Sequence, residues 1–415
     1  MDALLITIGD EILIGQVVDT NSAWIAEKLN LIGVKVDKII SIPDSREVIQ
    51  KTIDEAFINC SIIIITGGLG PTNDDITKST LKEYFNGQYI IHEPTLEHIG
   101  SIFKKRGMEL TELNRQQAEV PDCCIVLKNQ LGTAPGMWFE KDGKILVSLP
   151  GVPFEMIGLM ENEVLPRLSK ISTNQIVVHR TIQTFGLPES FLAEKLTDWE
   201  NQLPSFVKLA YLPSPSSIRL RLSAYGSKDL QLEKIIQNEI SKLYKVIPEY
   251  IFGEGEVTIQ EVVGLLLKTK NATLSTAESC TGGTIAHLIT QIPGSSAYFK
   301  GSIVAYSNEV KEKILGVDSE LIKNYGAVSK QLVEAMAKGV KSNLNTNYAI
   351  AVSGIAGPDG GTLNKPVGTV WIAIATDKSL SSLELKLSSD RTRNIIRASV
   401  TALNMLRLML IDENL

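Results

Sequence analysis

Short apolar runs alternate with amphipathic stretches along the first third of the chain. Three runs rich in Ile, Val and Leu predict strands, and two stretches with apolar positions at helical spacing predict the helices between them. In chain order these elements lie at 3–8, 20–31, 34–42, 46–58 and 61–66. A β-α-β-α-β order with nearly continuous apolar strands is typical of a mostly parallel sheet covered by helices on both faces. We therefore expect a three-layer α/β/α domain over residues 1–170.

The pattern changes after residue 170. Two strand-like runs, Ile176–Thr184 and Ile218–Tyr225, are each followed by a helical pattern, at Glu189–Trp199 and Lys228–Leu243. A turn-rich segment with two prolines and several serines lies between them. These elements predict a small α+β domain over residues 171–250, which is within the usual range of domain sizes.

The last part of the chain, residues 251–415, follows an expected linker at 248–256 where glycine and glutamate interrupt the pattern. An amphipathic helix and a strand are predicted first, at 257–268 and 272–277. Further strands and a closing helix are then predicted at 302–307, 348–353, 369–376, 382–387 and 392–410. This order predicts a second α/β domain, so the whole chain is expected to be a multidomain α/β protein.

Composition narrows the class of protein. A chain of 415 residues suggests two or three domains at about 150 residues each. The net charge of −6 argues against direct nucleic-acid binding and against an anionic membrane surface as partner. The four cysteines form no CxxC pair, and the N-terminus lacks a basic signal-peptide region. We therefore expect a cytoplasmic protein that contacts neither nucleic acid nor membrane.

A glycine-rich loop at 66–75 follows the third predicted strand. Gly67, Gly68 and Gly70 let the backbone approach a ligand, and the helix that follows offers free N–H groups to an anion. The loop ends in Asp74 and Asp75, a pair of carboxylates that could hold a hard divalent cation beside a phosphate. The alternative is a tight strand–helix turn whose aspartates only cap the helix.

A turn that carries two possible nucleophiles follows the predicted strand at 272–277. Ser279 or Cys280 could present a nucleophile there, and the backbone of Thr281, Gly282 and Gly283 could form an oxyanion hole. The alternative is that Ser279 or Thr281 is simply the helix N-cap.

None of the four histidines is well placed to activate this serine, so a buried lysine is the candidate base. Lys311 follows a strand expected to be parallel to the first, and the hydroxyl of Tyr306 could bridge serine and lysine. A plain surface lysine on a helix remains the alternative.

A third glycine-rich loop follows the strand at 348–353 and is a candidate anion site. Its glycines are Gly354, Gly357, Gly360 and Gly361. Arg391 opens the last helix, where a positive charge opposes the helix dipole, and it could complete a phosphate site. A solvated charged face is the alternative for this arginine run.

The N-terminal motifs resemble those of the CinA (competence/damage-inducible protein A) family. The segments that carry the resemblance are Gly9-Asp10-Glu11, Asp19-Thr20-Asn21, the loop at 66–75, Asn114–Ala118, Gly132–Gly136 and Leu149–Met156. The resemblance implies a molybdopterin-binding-like domain that hydrolyses the pyrophosphate of ADP-ribose with a divalent metal (Mg, Mn or Co). It places Asp10 beside the glycines as a nucleotide-binding residue. A molybdopterin-binding or molybdenum-cofactor enzyme is the alternative.

The C-terminal motifs resemble the nicotinamide-nucleotide amidohydrolase domain of the same family. They are Glu278–Gly283, Pro293–Ser296, Tyr306–Lys311, Gly326–Ser329, Ser353–Gly361 and Pro366–Trp371. The resemblance implies a cofactor-free Ser/Lys amidase, with Ser279, Tyr306 and Lys311 in catalysis, that converts nicotinamide mononucleotide to nicotinate mononucleotide in the pyridine nucleotide cycle. It also implies a homodimer. The chain departs from the family's Gly-Asp-Arg by having Ser389 before Asp390-Arg391. A non-catalytic partner of competence or DNA-repair machinery is the alternative.

Overall fold

The structure is a computed structural model that describes residues 1–72, 75–171, 175–214, 217–227 and 230–412. The chain folds into two compact units. The first comprises Met1–Val178 with Tyr225–Leu232, and the second comprises His179–Ala224 with Glu233–Leu415. The domain boundaries expected from the sequence at 170 and 250 stay a prediction.

The first unit is built on a six-stranded sheet. Its strands and helices, in chain order, are β1 (Asp2–Ile8), α1 (Asp10–Leu13), α2 (Thr20–Leu31), β2 (Lys35–Ile42), α3 (Arg46–Asn59), β3 (Ile62–Thr66), α4 (Thr77–Tyr84), β4 (Tyr89–Ile91), α5 (Glu93–Lys105), α6 (Glu112–Arg115), β5 (Glu119–Pro121), β6 (Ile125–Leu127), β7 (Gly136–Lys141), β8 (Lys144–Leu149), α7 (Pro153–Leu159) and α8 (Leu165–Ile171). A π-helical turn, Met160–Val164, joins α7 to α8.

The strand order of this sheet is β2-β1-β3-β8-β7-β6, with β4 and β5 forming a separate pair. The first four strands are parallel, and β7 and β6 are antiparallel to their neighbours. Alternate residues of β1 enter different cores, because side chains of a strand point to opposite faces. Leu5 packs with α2 and α7, whereas Ile6 packs with α3 and α4. Helices therefore cover both faces, which confirms the expected three-layer architecture.

The middle segment contains a four-stranded sheet in the order β10-β11-β9-β12. Its elements are β9 (Gln175–Thr184), α9 (Glu189–Asn201), β10 (Val207–Pro213), β11 (Ile218–Ser227), α10 (Leu232–Val246) and β12 (Ile251–Glu254). The linker expected at 248–256 is wrong in part, because β12 lies within it and pairs with β9. The helix expected from Lys228 begins at Leu232, and residues 228–229 lie outside the described residues.

The last segment contains a five-stranded sheet in the order β14-β13-β15-β16-β17. Its elements are α11 (Ile259–Thr269), β13 (Leu274–Glu278), α12 (Thr284–Thr290), β14 (Phe299–Val304), α13 (Asn308–Lys313), α14 (Ser319–Tyr325), α15 (Lys330–Leu344), β15 (Tyr348–Gly354), β16 (Thr369–Ala375), β17 (Leu380–Lys386) and α16 (Arg391–Asp412). Strands β14, β13 and β15 are parallel, and β16 and β17 are antiparallel to their neighbours. Helices α11, α12 and α16 cover one face and α15 the other.

Helix α16 is long and apolar enough, by length and composition, to cross a membrane. Half of its most apolar stretch (50%) is buried inside the protein, where residues such as Ala402 and Leu406 pack against the sheet. A core helix of a soluble protein has the same properties, so this helix is weak evidence for a membrane span.

Candidate active sites

The C-terminal site begins at a fully buried carboxylate where β13 ends. Glu278 is 0% exposed and accepts hydrogen bonds from three backbone N–H groups at the start of α12. The nitrogen–oxygen distances are 3.0 Å from Gly283, 3.0 Å from Ile285 and 2.9 Å from Ala286. A carboxylate at a helix N-terminus satisfies N–H groups that have no partner within the helix. Glu278 therefore fixes the turn that connects β13 to α12.

Two of the three backbone amides expected to form an oxyanion hole already have protein acceptors. The N–H of Gly282 donates to the carbonyl oxygen of Ser279 (3.1 Å), and the N–H of Gly283 donates to the buried carboxylate. Both glycine amides are thus occupied. In the described part of the chain, the N–H groups of Cys280 and Thr281 have no protein acceptor. These two amides are the better candidates to stabilise an oxyanion.

One cavity of about 230 Å³ brings the three predicted catalytic residues together. Ser279 follows β13 and is 8% exposed, while Lys311 and Tyr306 follow the parallel neighbour β14. The cavity is lined by Ser279, Cys280, Tyr306, Asn308, Lys311, Ala327, Val328, Ser353, Gly354, Ala356 and Arg391. Because parallel strands end at the same edge of a sheet, the serine and the lysine reach one site although 32 positions separate them in the chain.

Lys311 is a buried amine, not a surface lysine. Its side chain is 1% exposed, and Nζ donates a hydrogen bond to the backbone carbonyl of Tyr306 at 3.2 Å. Burial lowers the pKa of Lys311, because removing the ammonium from water disfavours the charged form. A lysine with a lowered pKa can accept a proton near neutral pH, which is what a general base requires.

Tyr306 does not bridge the serine and the lysine. Its hydroxyl accepts a hydrogen bond from Nη2 of Arg391 at 3.1 Å, and its side chain is 62% exposed at the rim of the cavity. Only its backbone carbonyl contacts Lys311. The expected bridging role is therefore unsupported by this geometry, and the ring instead holds the arginine at the cavity mouth.

Cys280 shares the cavity with Ser279, so position alone does not separate the two nucleophiles. Burial raises the pKa of the Cys280 thiol to about 12, despite the opposite influence of Arg391 and Lys311. The thiolate is the reactive form of cysteine, and at neutral pH this residue is almost entirely thiol. Serine needs only a neighbouring base, and the buried lysine is one.

The glycine loop after β15 contributes to this cavity through its first part only. Gly354 lines the cavity, and the carbonyl of Gly357 accepts a hydrogen bond from Nη1 of Arg391 at 2.9 Å. Gly360 and Gly361 line a separate open hollow on the outer part of the loop, with Pro358–Val367. The predicted phosphate site is thus reduced to Arg391 and the beginning of the loop.

The N-terminal unit has a cleft of about 470 Å³ at the carboxyl edge of its sheet. Gly67, Gly68 and Gly70 all line it, as the sequence predicts. Gly67 has a φ of +107°, and a Cβ there would lie 2.2 Å from the carbonyl oxygen of Ile8. Gly68 has a φ of +66°, and a Cβ there would lie 2.1 Å from Oγ1 of Thr77. Only glycine fits at these two positions.

Carboxylates dominate the polar lining of this cleft. They are Glu11, Asp19, Asp44, Asp75 and Glu155, and among the described residues no lysine, arginine or histidine joins them. Burial raises the pKa of Glu155, although a hydrogen bond from Asn129 opposes the shift. Asp10 begins α1 and is not one of the lining residues, so the acidic residue that this segment contributes is its neighbour Glu11.

The predicted metal pair is described only in part. Asp74 lies outside the described residues, and Asp75 accepts a hydrogen bond at Oδ2 from the N–H of Thr72 (3.0 Å). The described residues contain no group of three or more His, Cys, Asp or Glu side chains that could hold a metal ion. The carboxylate oxygens suit a hard divalent cation in type, but the described protein atoms do not form a complete coordination site.

Two polar side chains at or next to this cleft were not singled out as site residues in the sequence: Asp19 lines it, and Asn129 contacts its lining residue Glu155. Asp19 caps α2, accepting hydrogen bonds from Ser22 N (2.9 Å) and Thr7 Oγ1 (2.6 Å) at the cleft wall. Asn129 donates to Glu155 at 2.6 Å and accepts from the N–H of Gly132 at 3.0 Å. The Asp19-Thr20-Asn21 motif was a signal for the first residue, whereas a single asparagine in a loop gives no signal for the second.

Comparison with known proteins identifies the family of each part of the chain. A model of the CinA C-terminal domain matches residues 256–410, a probable molybdopterin binding domain matches 4–170, and the damage-inducible protein CinA KH domain matches 179–253. A CinA-like protein of Flavobacterium psychrophilum is 48% identical over 410 residues, which cover 98% of each chain. Another, from Cytophaga hutchinsonii, is 45% identical and covers 97% of this chain and 96% of its own. The crystal structure of competence/damage inducible protein CihA from Agrobacterium tumefaciens is 38% identical, covers 37% of this chain and 96% of its own, and has a TM-score of 0.35.

Proposed function

The chain belongs to the CinA family, and from that premise we propose that it is a bifunctional nucleotide hydrolase. The C-terminal site would deamidate nicotinamide mononucleotide to nicotinate mononucleotide and ammonia. The observation that supports this most is the buried Lys311, 1% exposed, in the same cavity as Ser279. Burying an ammonium is costly, and a buried amine that lines the same cavity as a serine is suited to act as its base.

In this mechanism Ser279 Oγ attacks the carboxamide carbon while Lys311 Nζ accepts the hydroxyl proton. The oxygen of the tetrahedral intermediate receives hydrogen bonds from the N–H groups of Cys280 and Thr281. Lys311 then returns its proton to the departing nitrogen, and ammonia leaves an ester of Ser279. Water, deprotonated by Lys311, attacks that ester, and the serine recovers its proton as the carboxylic acid is released. No cofactor is needed for these steps.

Arg391 would bind the phosphate of the substrate. Its guanidinium lies at the cavity, is held by the Gly357 carbonyl and donates to the Tyr306 hydroxyl. A planar guanidinium binds phosphate through two hydrogen bonds, and the exposed Tyr306 ring beside it can pack against the substrate. Tyr306 thus keeps a substrate-binding part in the proposal without bridging the serine and lysine.

The experiment is ammonia release from nicotinamide mononucleotide by the full chain. We expect turnover without added metal and no turnover of free nicotinamide, which lacks the phosphate for Arg391. Arg391→Lys is the informative variant, since it keeps the charge but loses the paired hydrogen bonds. We expect a raised KM with kcat little changed. Absence of ammonia release by the wild type would reject the deamidase.

The N-terminal site is the second candidate, and the acidic cleft is the observation that favours it. A pyrophosphate carries negative charge, and the described lining offers five carboxylates and no basic side chain. Such a ligand can enter only with cations that offset the repulsion. We propose that the substrate is ADP-ribose together with Mg²⁺, Mn²⁺ or Co²⁺, which the sequence-predicted pair Asp74 and Asp75 would hold along with the phosphate oxygens. A bound divalent cation would polarise a phosphoryl oxygen.

Hydrolysis of ADP-ribose to AMP and ribose 5-phosphate, with each of the three metals or with a chelator, tests this second activity. We expect no products in the chelator. Molybdopterin assayed in parallel distinguishes the alternative in which this domain serves molybdenum-cofactor chemistry.

A cytoplasmic homodimer is part of the same proposal. An inactive variant that still supported DNA uptake would instead favour a non-catalytic role in competence or repair.

A further inference from the structure

A second, smaller cavity lies beside the acidic cleft of the first unit. It has a volume of about 50 Å³ and is lined by residues of α5, of the turn before it and of the loop between β6 and β7. The two cavities are adjacent, because Thr133 lines both of them. Neither of the proposed activities uses this cavity.

Three side chains that line the small cavity carry a polar atom without a hydrogen-bond partner among the described residues: the partly buried His98 and Thr133, and the exposed Lys128. Nε2 of His98 is buried and has no hydrogen-bond partner among the described residues. Within the same described range, Lys128 Nζ and Thr133 Oγ1 make no hydrogen bond to protein. The second histidine, His92, uses Nδ1 to contact Thr95 Oγ1 at 2.7 Å. No described carboxylate lines this cavity, in contrast to the five in the neighbouring cleft.

The side-chain amide of Asn129, whose hydrogen-bonding positions are all used, holds the wall between the two cavities in place. Asn129 donates to the carbonyl of Ala134 at 2.9 Å and to Glu155 at 2.6 Å. Its Oδ1 accepts from the N–H groups of Leu131 and Gly132, both at 3.0 Å. All four hydrogen-bonding positions of this side chain are thus used. These hydrogen bonds tie the loop that carries Thr133 to Glu155.

The size and chemistry of the cavity fit a small oxyanion. One water needs roughly 10–15 Å³ by this measure, so about 50 Å³ holds three or four waters or one tetrahedral anion. An ammonium, a hydroxyl and an imidazole N–H are the donors that proteins use to bind phosphate. Because no described carboxylate lines the cavity, it favours an anion over a cation.

We propose that this cavity is a binding subsite for one phosphate group, held by Lys128, His98 and Thr133. The phosphate is the end group of a nucleotide or sugar phosphate whose other part lies in the acidic cleft, since Thr133 borders both spaces. The identity of that larger ligand rests on the pyrophosphatase proposed above. The subsite itself rests on the donors and on the cavity.

The test is calorimetric titration of inorganic phosphate and of ribose 5-phosphate into the full chain, with EDTA present. The chelator removes metal-bridged binding to the carboxylates of the cleft. The remaining binding comes from the small cavity and from Arg391 of the C-terminal site, so the part that is lost in the variants of the small cavity reports the subsite. We expect Lys128→Ala and Thr133→Val each to weaken phosphate binding, the lysine variant by about tenfold, which corresponds to losing one charge-assisted hydrogen bond. His98→Gln, which keeps a donor, should weaken it less than His98→Ala.

Lys104→Ala is the matched control, because this lysine lies at the other end of α5 and is not one of the lining residues. Its phosphate affinity should equal that of the wild type. No phosphate binding by the wild type, or equal affinities in the wild type, Lys128→Ala and Thr133→Val, would overturn the subsite. Phosphate binding that depends on Lys128 without any ADP-ribose hydrolysis would keep the subsite and reject the pyrophosphatase. ADP-ribose hydrolysis without phosphate binding that depends on Lys128 would keep the pyrophosphatase and reject the subsite.

Discussion

At the scale of single residues, the two adjacent nucleophiles differ in chemistry more than in position. Ser279 and Cys280 line the same cavity, so their positions alone do not decide which of them is the nucleophile. What favours the serine is the raised pKa of the thiol, at about 12, together with the neighbouring amine of Lys311. The assignment therefore depends on protonation, which substitution can test directly.

We expect Ser279→Ala to reduce deamidation by about a thousandfold or more, because the reaction loses its nucleophile. Cys280→Ala should change the rate only a few-fold, since its backbone N–H remains. Initial rates of ammonia release from nicotinamide mononucleotide measure both. Inactivation by a thiol-alkylating reagent, combined with residual turnover in Ser279→Ala, would assign the nucleophile to Cys280 instead.

Lys311 should give the deamidase a rate that rises with pH. Burial lowers its pKa, so the neutral amine appears at lower pH than in a free lysine, and activity increases as the pH passes the lowered value. Lys311→Arg should lose about 10²–10⁴-fold in kcat, because a guanidinium stays protonated and cannot accept the serine proton. The rate constant of this variant is measured across pH, against wild type.

The control for the lysine is Lys313→Arg, two residues further along α13, where the side chain is exposed and paired with Glu309. It should leave the pH profile unchanged. Near-wild-type turnover in Lys311→Arg, with the same rising limb, would show that Lys311 only positions charge and that another group is the base.

At the scale of secondary-structure elements, the turn between β13 and α12 depends on one carboxylate. Glu278 satisfies three amides of the helix start, so Glu278→Ala leaves all three without partners in a buried place. We expect a loss of about 2 kcal/mol or more in the free energy of unfolding, at the upper end of helix-cap effects. Asp318→Ala, which removes an exposed cap of α14, should cost about 1 kcal/mol or less. Chemical denaturation of both variants gives the comparison, and equal losses would contradict the anchoring role.

The elements that the sequence predicts well are those with a strong local pattern. Helix α2 begins and ends at the expected residues, Thr20 and Leu31, because its apolar spacing and the Asp19 cap are both local. Strand β12 was not predicted, since Ile251–Glu254 contains a glycine and a glutamate and is a strand only through pairing with β9. Pairing between distant segments leaves little trace in a short stretch of sequence.

The same distinction applies to the site. Ser279 and Lys311 could be brought together from the sequence, because each follows a predicted strand of the same parallel pair. The role of Glu278 could not be predicted from the sequence. Its partners are backbone N–H groups five to eight residues later, and a backbone N–H group is the same whatever side chain the residue carries. The hydroxyl of Tyr306 was assigned to the wrong partner for a similar reason, because Arg391 lies 85 positions away.

At the scale of the whole molecule, the middle segment differs from a nucleic-acid-binding KH domain in one sequence feature. It matches a KH domain, and KH domains grip nucleic acid with a Gly-x-x-Gly loop. The glycines in residues 179–253 are Gly186, Gly226 and Gly253, so no such loop is present in this sequence. The expectation from the net charge of −6, that the protein does not contact nucleic acid directly, stays a prediction.

The two proposed activities belong to different compact units, and we expect them to be separable by substitution. The cleft with Asp75 lies in the first unit, and the cavity with Ser279 lies in the second. Changing Asp74 and Asp75 together to Asn should abolish metal-dependent cleavage of ADP-ribose and leave ammonia release within about twofold of wild type, since side chains in separate units act additively. Ser279→Ala should do the opposite. Both activities are measured on each purified full-length variant, with circular dichroism to confirm folding. Unchanged ADP-ribose hydrolysis in the double variant would reject the metal assignment, and loss of both activities in a folded variant would mean that the two sites are coupled.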